Sequence, residues 1–306
     1  MTIPQRVHAY YTQHFDQLTD DKRFHFASRM GAWNDDIFSK NYLKSLESDY
    51  LASDDTVRKA LYDLLHNPPK AKINAAEARQ KYFDAYPELR GRMLALFRVR
   101  HLLTIYGVDT RALLLELVSV ESLYQLSEQL QKDDDAIRVL STYAINYIYL
   151  VEVILFPRNR KLPLSSFLDL GKQYDVSNPE NIQLLIYFYT HCIIGASNFY
   201  AHHVPEDETH EYRLMLTELE ALISTNFERI NLDNKLEFLV CCRIINFPTN
   251  LTDRIYDECT QSLSKEGDFV VDTINSFKQS QKTSFSDSEH RNVLLIMSVS
   301  DYLPLS

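Results

Sequence analysis

The stretch that decides the fold is LLIYFYTHCIIGASNFYAHHVP, at positions 184–205. Apolar residues occupy every side of a helix drawn through it, which is typical of a helix surrounded by neighbours. It nevertheless carries isolated polar side chains, including His191 and the pair His202 and His203. Apolar residues recur at helical spacing along nearly the whole chain, and strict alternation is rare. The sequence therefore predicts an all-α protein.

Composition narrows the class of protein. Hydrophobic residues make up 45% and charged residues 24% of the 306 residues, which excludes general disorder. Only 6 glycines are present, so the glycine-rich phosphate loops of doubly wound folds are not expected. The formal net charge of −10 argues against a nucleic-acid binder, because such proteins carry a basic surface.

The opening stretch also belongs to a repeating pattern. Four apolar segments end in an aromatic or aliphatic residue followed by proline: Phe156-Pro157, Val204-Pro205, Phe247-Pro248 and Leu303-Pro304. Successive prolines are 48, 43 and 56 residues apart, and a more polar helix is predicted between each pair. Chance is the alternative, since proline often follows a helix.

This pattern predicts an array of antiparallel α-hairpins, as a helical-repeat arc or a partly closed α/α toroid, with a smaller helical N-terminal part. The layout is similar to that of α/α-toroid proteins in architecture alone, and no residue motif links it to a family. Residues 1–89 are predicted to form a short-helix region and residues 90–306 the hairpin repeat, although the two could form one continuous domain. A helix over 269–278 and a loop over 279–287 are expected before the last helix.

Aligning the four prolines brings polar residues of different copies to the same height. The residues fourteen positions before each proline are Tyr143, His191, Asn234 and His290. Those fifteen positions before include Thr190, Asp233 and Glu289. Equivalent positions of neighbouring inner helices face a shared surface in a hairpin array. The ligand-pocket candidates are therefore His191, Thr190, Asp233, Asn234, Glu237, Glu289, His290 and Tyr143.

Two interpretations of these residues remain open. The histidines and carboxylates could perform general acid–base work or hold a metal such as zinc. Alternatively they cap and solvate helix ends, with Asp233 as an N-cap and Glu237 supporting the helix dipole one turn later. The sequence favours the second interpretation, in which these residues cap and solvate helix ends. Neither a metal nor a cofactor is predicted.

Two further groups are expected to be structural. His202 and His203 point about 100° apart on a helix, so they cannot easily share one metal ion, and they are read as a polar helix end. Cys241 and Cys242 lie side by side in an apolar segment and are expected to be buried, reduced thiols.

Two functions follow as hypotheses. The first is a soluble, cytoplasmic interaction module whose concave, aromatic-lined surface binds a peptide or protein. The second is an enzyme or small-molecule binder with a polar pocket around His191, Asp233 and His290. Neither a nucleic acid nor a membrane is an expected partner, because the chain is acidic and its longest apolar run is too short to span a bilayer. The N-terminus lacks the apolar core of a secretory signal, which favours the cytoplasm.

Overall fold

The computed structural model describes residues 2–33, 35–47, 51, 53–69, 77–156, 162–271 and 284–299. Within these ranges the chain forms sixteen α-helices and no strand, which confirms the all-α prediction. One isolated antiparallel bridge joins Leu263 to Val270. The predicted helix over 269–278 is therefore wrong at its start, because residues 269–271 are extended or bent.

Several sequence predictions fall outside these ranges. They include residues 272–278 of that helix, residues 279–283 of the expected loop, Pro157 and Leu303-Pro304. The end of the expected loop, residues 284–287, is described and forms a bend and turns.

The sixteen helices are short to medium in length. The first eight are α1 (Ile3–Gln13), α2 (Asp20–Trp33), α3 (Ile37–Glu47), α4 (Asp54–His66), α5 (Glu77–Ala85), α6 (Leu89–Tyr106), α7 (Arg111–Leu117) and α8 (Val120–Gln131). The others are α9 (Asp134–Leu140), α10 (Thr142–Leu155), α11 (Leu164–Gly171), α12 (Pro179–Ala196), α13 (His210–Thr225), α14 (Leu232–Ile244), α15 (Thr252–Gln261) and α16 (Glu289–Val299).

The chain divides into two compact units. The first unit combines Met1–Leu43 with Asp175–Ser306, and the second is Lys44–Tyr174. These bounds differ from the division between residues 89 and 90 that the sequence suggested, and that division stays a prediction. The N-terminal helices α1 and α2 belong with the last helix, α16, because they pack directly on it.

The three apolar helices of the first unit, α12, α14 and α16, pack side by side in the order in which they occur in the sequence. Helix α14 packs between α12 and α16, while α13 lies against α12 and α14, and α15 lies against α14. Helices α12, α14 and α16 are buried over most of their length, as the apolar composition of their sequences requires. Their interior includes Phe188, Phe238 and Met297, none of which has exposed surface.

Helix α12 ends earlier than its apolar sequence suggests. It stops at Ala196, and Asn198, Phe199 and Tyr200 follow with positive φ angles of 52°, 52° and 73°. Three successive left-handed residues without glycine are costly, since each Cβ crowds its carbonyl oxygen. The predicted single helix through His203 is therefore wrong, and the chain turns sharply before Pro205.

Helix ends elsewhere follow capping chemistry. Ser53 caps α4 through the Thr56 N–H, and Gly107 ends α6 in the left-handed region. Helix α14 is capped by Asn231, whose side chain accepts from the Asn234 N–H at 2.8 Å. The predicted capping role of Asp233 is therefore wrong, since Asp233 already lies in the first turn of α14.

The second unit is built around α6 and α10. These two helices pack on each other, and α4 packs on α6 while α8 and α9 pack on α10. The Tyr147 hydroxyl donates to the Leu123 carbonyl oxygen at 2.9 Å, which joins α10 to α8. A Cβ on Gly91 would lie 2.6 Å from the Leu65 carbonyl oxygen, so α4 and α6 approach too closely for a side chain at this position.

Candidate functional site

Seven of the eight predicted pocket residues lie in the first unit, on its three apolar helices. Thr190 and His191 come from α12, Asp233, Asn234 and Glu237 from α14, and Glu289 and His290 from α16. Charged side chains of α2 and α16 join them. We call the following residues the polar cluster: His25, Arg29, Thr190, His191, Asp233, Asn234, Glu237, Glu289, His290 and Arg291.

The first contact of the polar cluster joins α12 to α14. The Thr190 hydroxyl is hydrogen-bonded to the Glu237 carboxyl group, and both side chains are buried. The Nε2 atom of His191 lies 3.9 Å from Oε1 of Glu237. The His191 side chain keeps 17% of its surface exposed, so the polar cluster is not sealed from the outside.

The second contact joins α2 to α16. Glu289 has no exposed side-chain surface, and its Oε1 lies 2.7 Å from Nδ1 of His25, while its Oε2 lies 3.4 Å from Nζ of Lys22. The rings of His25 and His290 are 5.2 Å apart between centroids. Burial would raise the pKa of Glu289, but the nearby His25 and Lys22 outweigh it, so the pKa is lowered and the group is a carboxylate.

The third contact joins α14 to α16. The Asp233 Oδ1 atom lies 2.9 Å from Nε of Arg291, a side chain that is only 2% exposed. Beside Asp233, Asn234 is fully buried, and neither atom of its amide group has a hydrogen-bond partner among the described residues. A buried amide without partners costs about 1–3 kcal/mol, so this position calls for an explanation.

Arg29 of α2 carries the fourth set of contacts. Its guanidinium group lies over the ring of Tyr200, 4.0 Å from the centroid, and Tyr200 lies in the left-handed turn after α12. The Trp33 ring is 6.3 Å from the Tyr200 ring. The Nη1 atom of Arg29 is shielded from solvent and has no hydrogen-bond partner within the described part of the chain.

Burial sets the protonation of the titratable groups in the polar cluster. It lowers the pKa of His191 and of His290 to about 3, helped in both by the positive charge of Arg29, so both imidazoles are neutral near pH 7. Burial raises the pKa of Glu237 to about 7, although Thr190 and Arg29 oppose the shift. A carboxyl group that titrates near neutrality, as Glu237 does beside the neutral imidazole of His191, can exchange protons under physiological conditions.

The eighth predicted pocket residue, Tyr143, belongs to the second unit. It lies in α10, and its ring packs edge-on against Phe83 with 5.1 Å between centroids.

Sequence reasoning missed the basic members of the polar cluster, which are His25, Arg29 and Arg291. For Arg29 a signal was present, because it lies at helical spacing within the apolar face formed by Phe26, Met30 and Trp33. A cation on an apolar helix face needs a partner in the interior. The position of His25 beside Glu289 had no such signal, since 264 residues separate them in sequence.

The first unit also contains an open cleft at the C-terminal ends of α14 and α16. It has a volume of about 1200 Å³, and its lining includes His203, Arg243, Asn246, Tyr256 and Ser298. His203 donates from Nδ1 to the Ile244 carbonyl oxygen at 3.0 Å, so it ties the loop after α12 to the end of α14.

The cysteines are buried, as the sequence predicted for Cys241 and Cys242. Burial raises the pKa of both thiols well above the usual value, so neither is a nucleophile near pH 7.

Among the described residues, no group of three or more histidine, cysteine or acidic side chains is placed to hold a metal ion. No single described helix has both the length and the apolar character to cross a bilayer, and only the pair α9 and α10, bent by 109°, passes that test together. In comparisons with protein-family models, curated proteins and solved structures, no match was found.

Proposed function

We propose that the protein binds a small anionic molecule at Arg29, in the polar cluster of the first unit. The observation that carries this proposal is the guanidinium group of Arg29. It is partly buried and stacked on Tyr200, and no carboxylate pairs with it among the described residues. A cation held in the interior of a protein needs a compensating negative charge.

The carboxylates of the polar cluster are already engaged elsewhere. Glu289 is held by His25 and Lys22, and Asp233 by Arg291. Glu237 is hydrogen-bonded to Thr190, and near pH 7 it is protonated in a substantial fraction of molecules. Arg29 is therefore the cation of the polar cluster to which a ligand's charge can be added without displacing an existing ion pair.

The surrounding groups indicate the ligand class. A guanidinium group presents a planar fork of N–H donors that matches a carboxylate or a phosphate. The amide of Asn234 offers a donor and an acceptor that have no partner among the described residues, and a neutral imidazole such as that of His191 has one N–H donor and one acceptor nitrogen. The expected ligand is a small carboxylate or phosphate that also carries hydrogen-bonding groups. Its binding at the junction of α2, α12, α14 and α16 would account for the unpaired groups there.

The single tryptophan of the chain provides the test. Trp33 lies one helical turn from Arg29 and packs near Tyr200, so a ligand at Arg29 changes the environment of the only indole. Titration with acetate, sulfate and inorganic phosphate, followed by Trp33 emission and by the thermal midpoint, should show saturable changes in both. Arg29→Met should abolish them. Arg23→Met is the matched control, because Arg23 lies on the same helix and pairs with the exposed Asp20.

Two outcomes would overturn this proposal. One is the absence of any saturable response to all three anions in a folded wild-type protein. The other is an equal response in the Arg29→Met variant, which would place anion binding elsewhere.

A second candidate function is an interaction module for a peptide or protein. The cleft at the ends of α14 and α16 supports it, since about 1200 Å³ exceeds the usual 300–1,000 Å³ of a small-molecule pocket. Tyr147 and Tyr189 are fully buried and cannot contribute to an aromatic-lined surface. A photo-crosslinking residue at Thr252 should capture a partner that one at the exposed Leu214 does not, and equal labelling would count against this function.

We also propose that α12 to α16 form the predicted array of α-hairpins, as an arc or as part of a toroid. The chain-order packing of α12, α14 and α16, with α13 and α15 against them, supports this arrangement. The buried thiols of the first unit support a reducing location such as the cytoplasm.

A further inference from the structure

The imidazole ring of His25 has one nitrogen engaged by a buried carboxylate. Its Nδ1 atom lies 2.7 Å from Oε1 of Glu289, a side chain with no exposed surface. The ammonium group of Lys22, which can only donate, lies 3.4 Å from Oε2 of the same residue. Against the effect of burial, these two contacts lower the pKa of Glu289, so it is a carboxylate that accepts in both. The Nδ1 atom of His25 therefore carries a hydrogen atom.

This hydrogen bond fixes the tautomer of the neutral His25 ring. A neutral imidazole has one N–H donor and one acceptor nitrogen, so donation from Nδ1 leaves Nε2 as the acceptor. The side chain is 28% exposed. Within the described part of the chain, Nε2 has no hydrogen-bond partner and is not among the atoms shielded from solvent. It is therefore open to a donor from outside the protein.

His25 also lies next to the proposed anion site. Arg29 follows it by four residues on α2, so the two side chains leave the same face of the helix, with Cβ atoms about 5–6 Å apart. The ring of His290 is 5.2 Å from that of His25, and Arg29 is near enough to His290 for its charge to add to the effect of burial on the His290 pKa. A small anion paired with Arg29 can therefore extend a second group to His25.

We propose that the anion bound at Arg29 is a hydroxy acid, whose hydroxyl group donates a hydrogen bond to Nε2 of His25. This inference rests on the proposed function and names its ligand class. The donor is a hydroxyl group rather than an ammonium group, because Lys22 and Arg29 place positive charge one turn to either side of His25 on α2. His25 is then the specificity-determining residue of the site, and Glu289 positions its ring.

The experiment compares acids that differ only in one hydroxyl group. The three matched pairs are glycolate with acetate, 3-hydroxypropionate with propionate, and 4-hydroxybutyrate with butyrate. Affinities are measured from Trp33 emission at pH about 8.5, which favours the neutral imidazole over the imidazolium. In at least one pair the wild type should bind the hydroxy acid about fivefold more tightly, the worth of one net hydrogen bond.

Three variants locate this preference. His25→Phe keeps a ring but removes both nitrogens, so it should bind the two members of each pair equally. His210→Phe, at an exposed position, is the matched control and should keep the wild-type preference. Arg29→Met should bind none of the six acids.

The outcomes separate this inference from the proposed function. If the wild type binds neither these acids nor inorganic phosphate, the proposed function fails. If it binds phosphate alone, or both members of every pair equally, only the hydroxy-acid inference is overturned. A preference that persists in a folded His25→Phe variant also overturns it.

Nitrogen-15 NMR of the wild-type His25 ring gives a second measurement that needs no variant. At the same pH the ring should carry its hydrogen atom on Nδ1, and the Nε2 resonance should move further upfield with the preferred hydroxy acid than with its matched acid. The opposite tautomer, or equal shifts with both acids, would overturn the inference even if His25→Phe does not fold.

Discussion

Asp233 and Arg291 join the first turns of α14 and α16 through an ion pair of 2.9 Å between Oδ1 and Nε. Arg291 is almost completely buried, and the Asp233 side chain is 18% exposed. The pair therefore fixes the relative height of two helices whose remaining contacts are largely apolar and would tolerate sliding.

Removal of one member of this pair should destabilise the protein strongly. Arg291→Met leaves the Asp233 carboxylate partly buried without its partner, and a cost of about 3 kcal/mol is expected. The measurement is the free energy of unfolding in urea, for Arg291→Met, Asp233→Asn and the double variant. A positive coupling energy in this cycle is expected, and additive losses would show that the two side chains act independently.

The same pair shows how far the sequence could locate the polar cluster. Aligning the prolines placed Asp233 level with Glu289, and the structure pairs Asp233 with Arg291, two residues further on. It also placed Thr190 level with Asp233, whereas Thr190 contacts Glu237, one turn later. The offset of Thr190 arises because α12 ends in a left-handed turn well before its proline, so the proline does not mark the end of that helix.

The helical class was predictable because helix formation depends on local spacing of apolar residues. The site was predictable only in part. The pairing of His25 with Glu289 brings together the two ends of the chain, and no periodicity encodes that contact. The position of Arg29 over Tyr200 likewise depends on how α2 docks and on the backbone turn at Tyr200.

A second buried ion pair joins Lys235 to Glu258. Replacing one member of this pair should destabilise the protein far more than replacing both members with apolar side chains. Lys235 has no exposed side-chain surface, donates to Glu258 and lies 3.8 Å from the centroid of the Phe227 ring. Lys235→Met leaves Glu258 buried without its partner, so we expect a loss of about 3–5 kcal/mol. Combining it with Glu258→Leu should recover most of this loss, because two apolar side chains need no desolvation of charge.

The control for this prediction is the neighbouring surface pair of Arg254 and Glu228. Their side chains are 47% and 75% exposed, and Arg254→Met should change the free energy of unfolding by less than about 1 kcal/mol. If Lys235→Met costs no more than this control, the buried pair does not contribute as we expect. Denaturant unfolding of wild type and of the three variants decides the comparison.

Acid should destabilise the protein through its buried histidines. The pKa of His191 and of His290 is about 3 in the folded protein, against 6.5 for the ordinary side chain. Below pH 6.5 the unfolded chain therefore binds protons that the folded protein does not, and stability falls as the pH is lowered. Between these values each histidine should contribute up to about 1.4 kcal/mol per pH unit.

Replacing one of these histidines should weaken the acid dependence. His191→Gln should reduce the slope of unfolding free energy against pH between about 6 and 4, whereas His210→Gln, at an exposed position, should leave it unchanged. An unchanged slope in His191→Gln would mean that His191 takes up its proton in the folded state.

Glycine at position 91 should be required for the close packing of α4 and α6 in the second unit. A Cβ there would lie 2.6 Å from the carbonyl oxygen of Leu65 and 2.9 Å from that of Leu64, and backbone cannot move aside as a flexible side chain can. Gly91→Ala should therefore cost about 1–3 kcal/mol despite the better helix propensity of alanine. Gly31 of α2 is the matched control, because its Cβ would meet only side-chain atoms, none closer than 3.6 Å. Gly31→Ala should be neutral or stabilising by up to about 1 kcal/mol, and equal thermal midpoints for the two variants would contradict the close approach of α4 and α6.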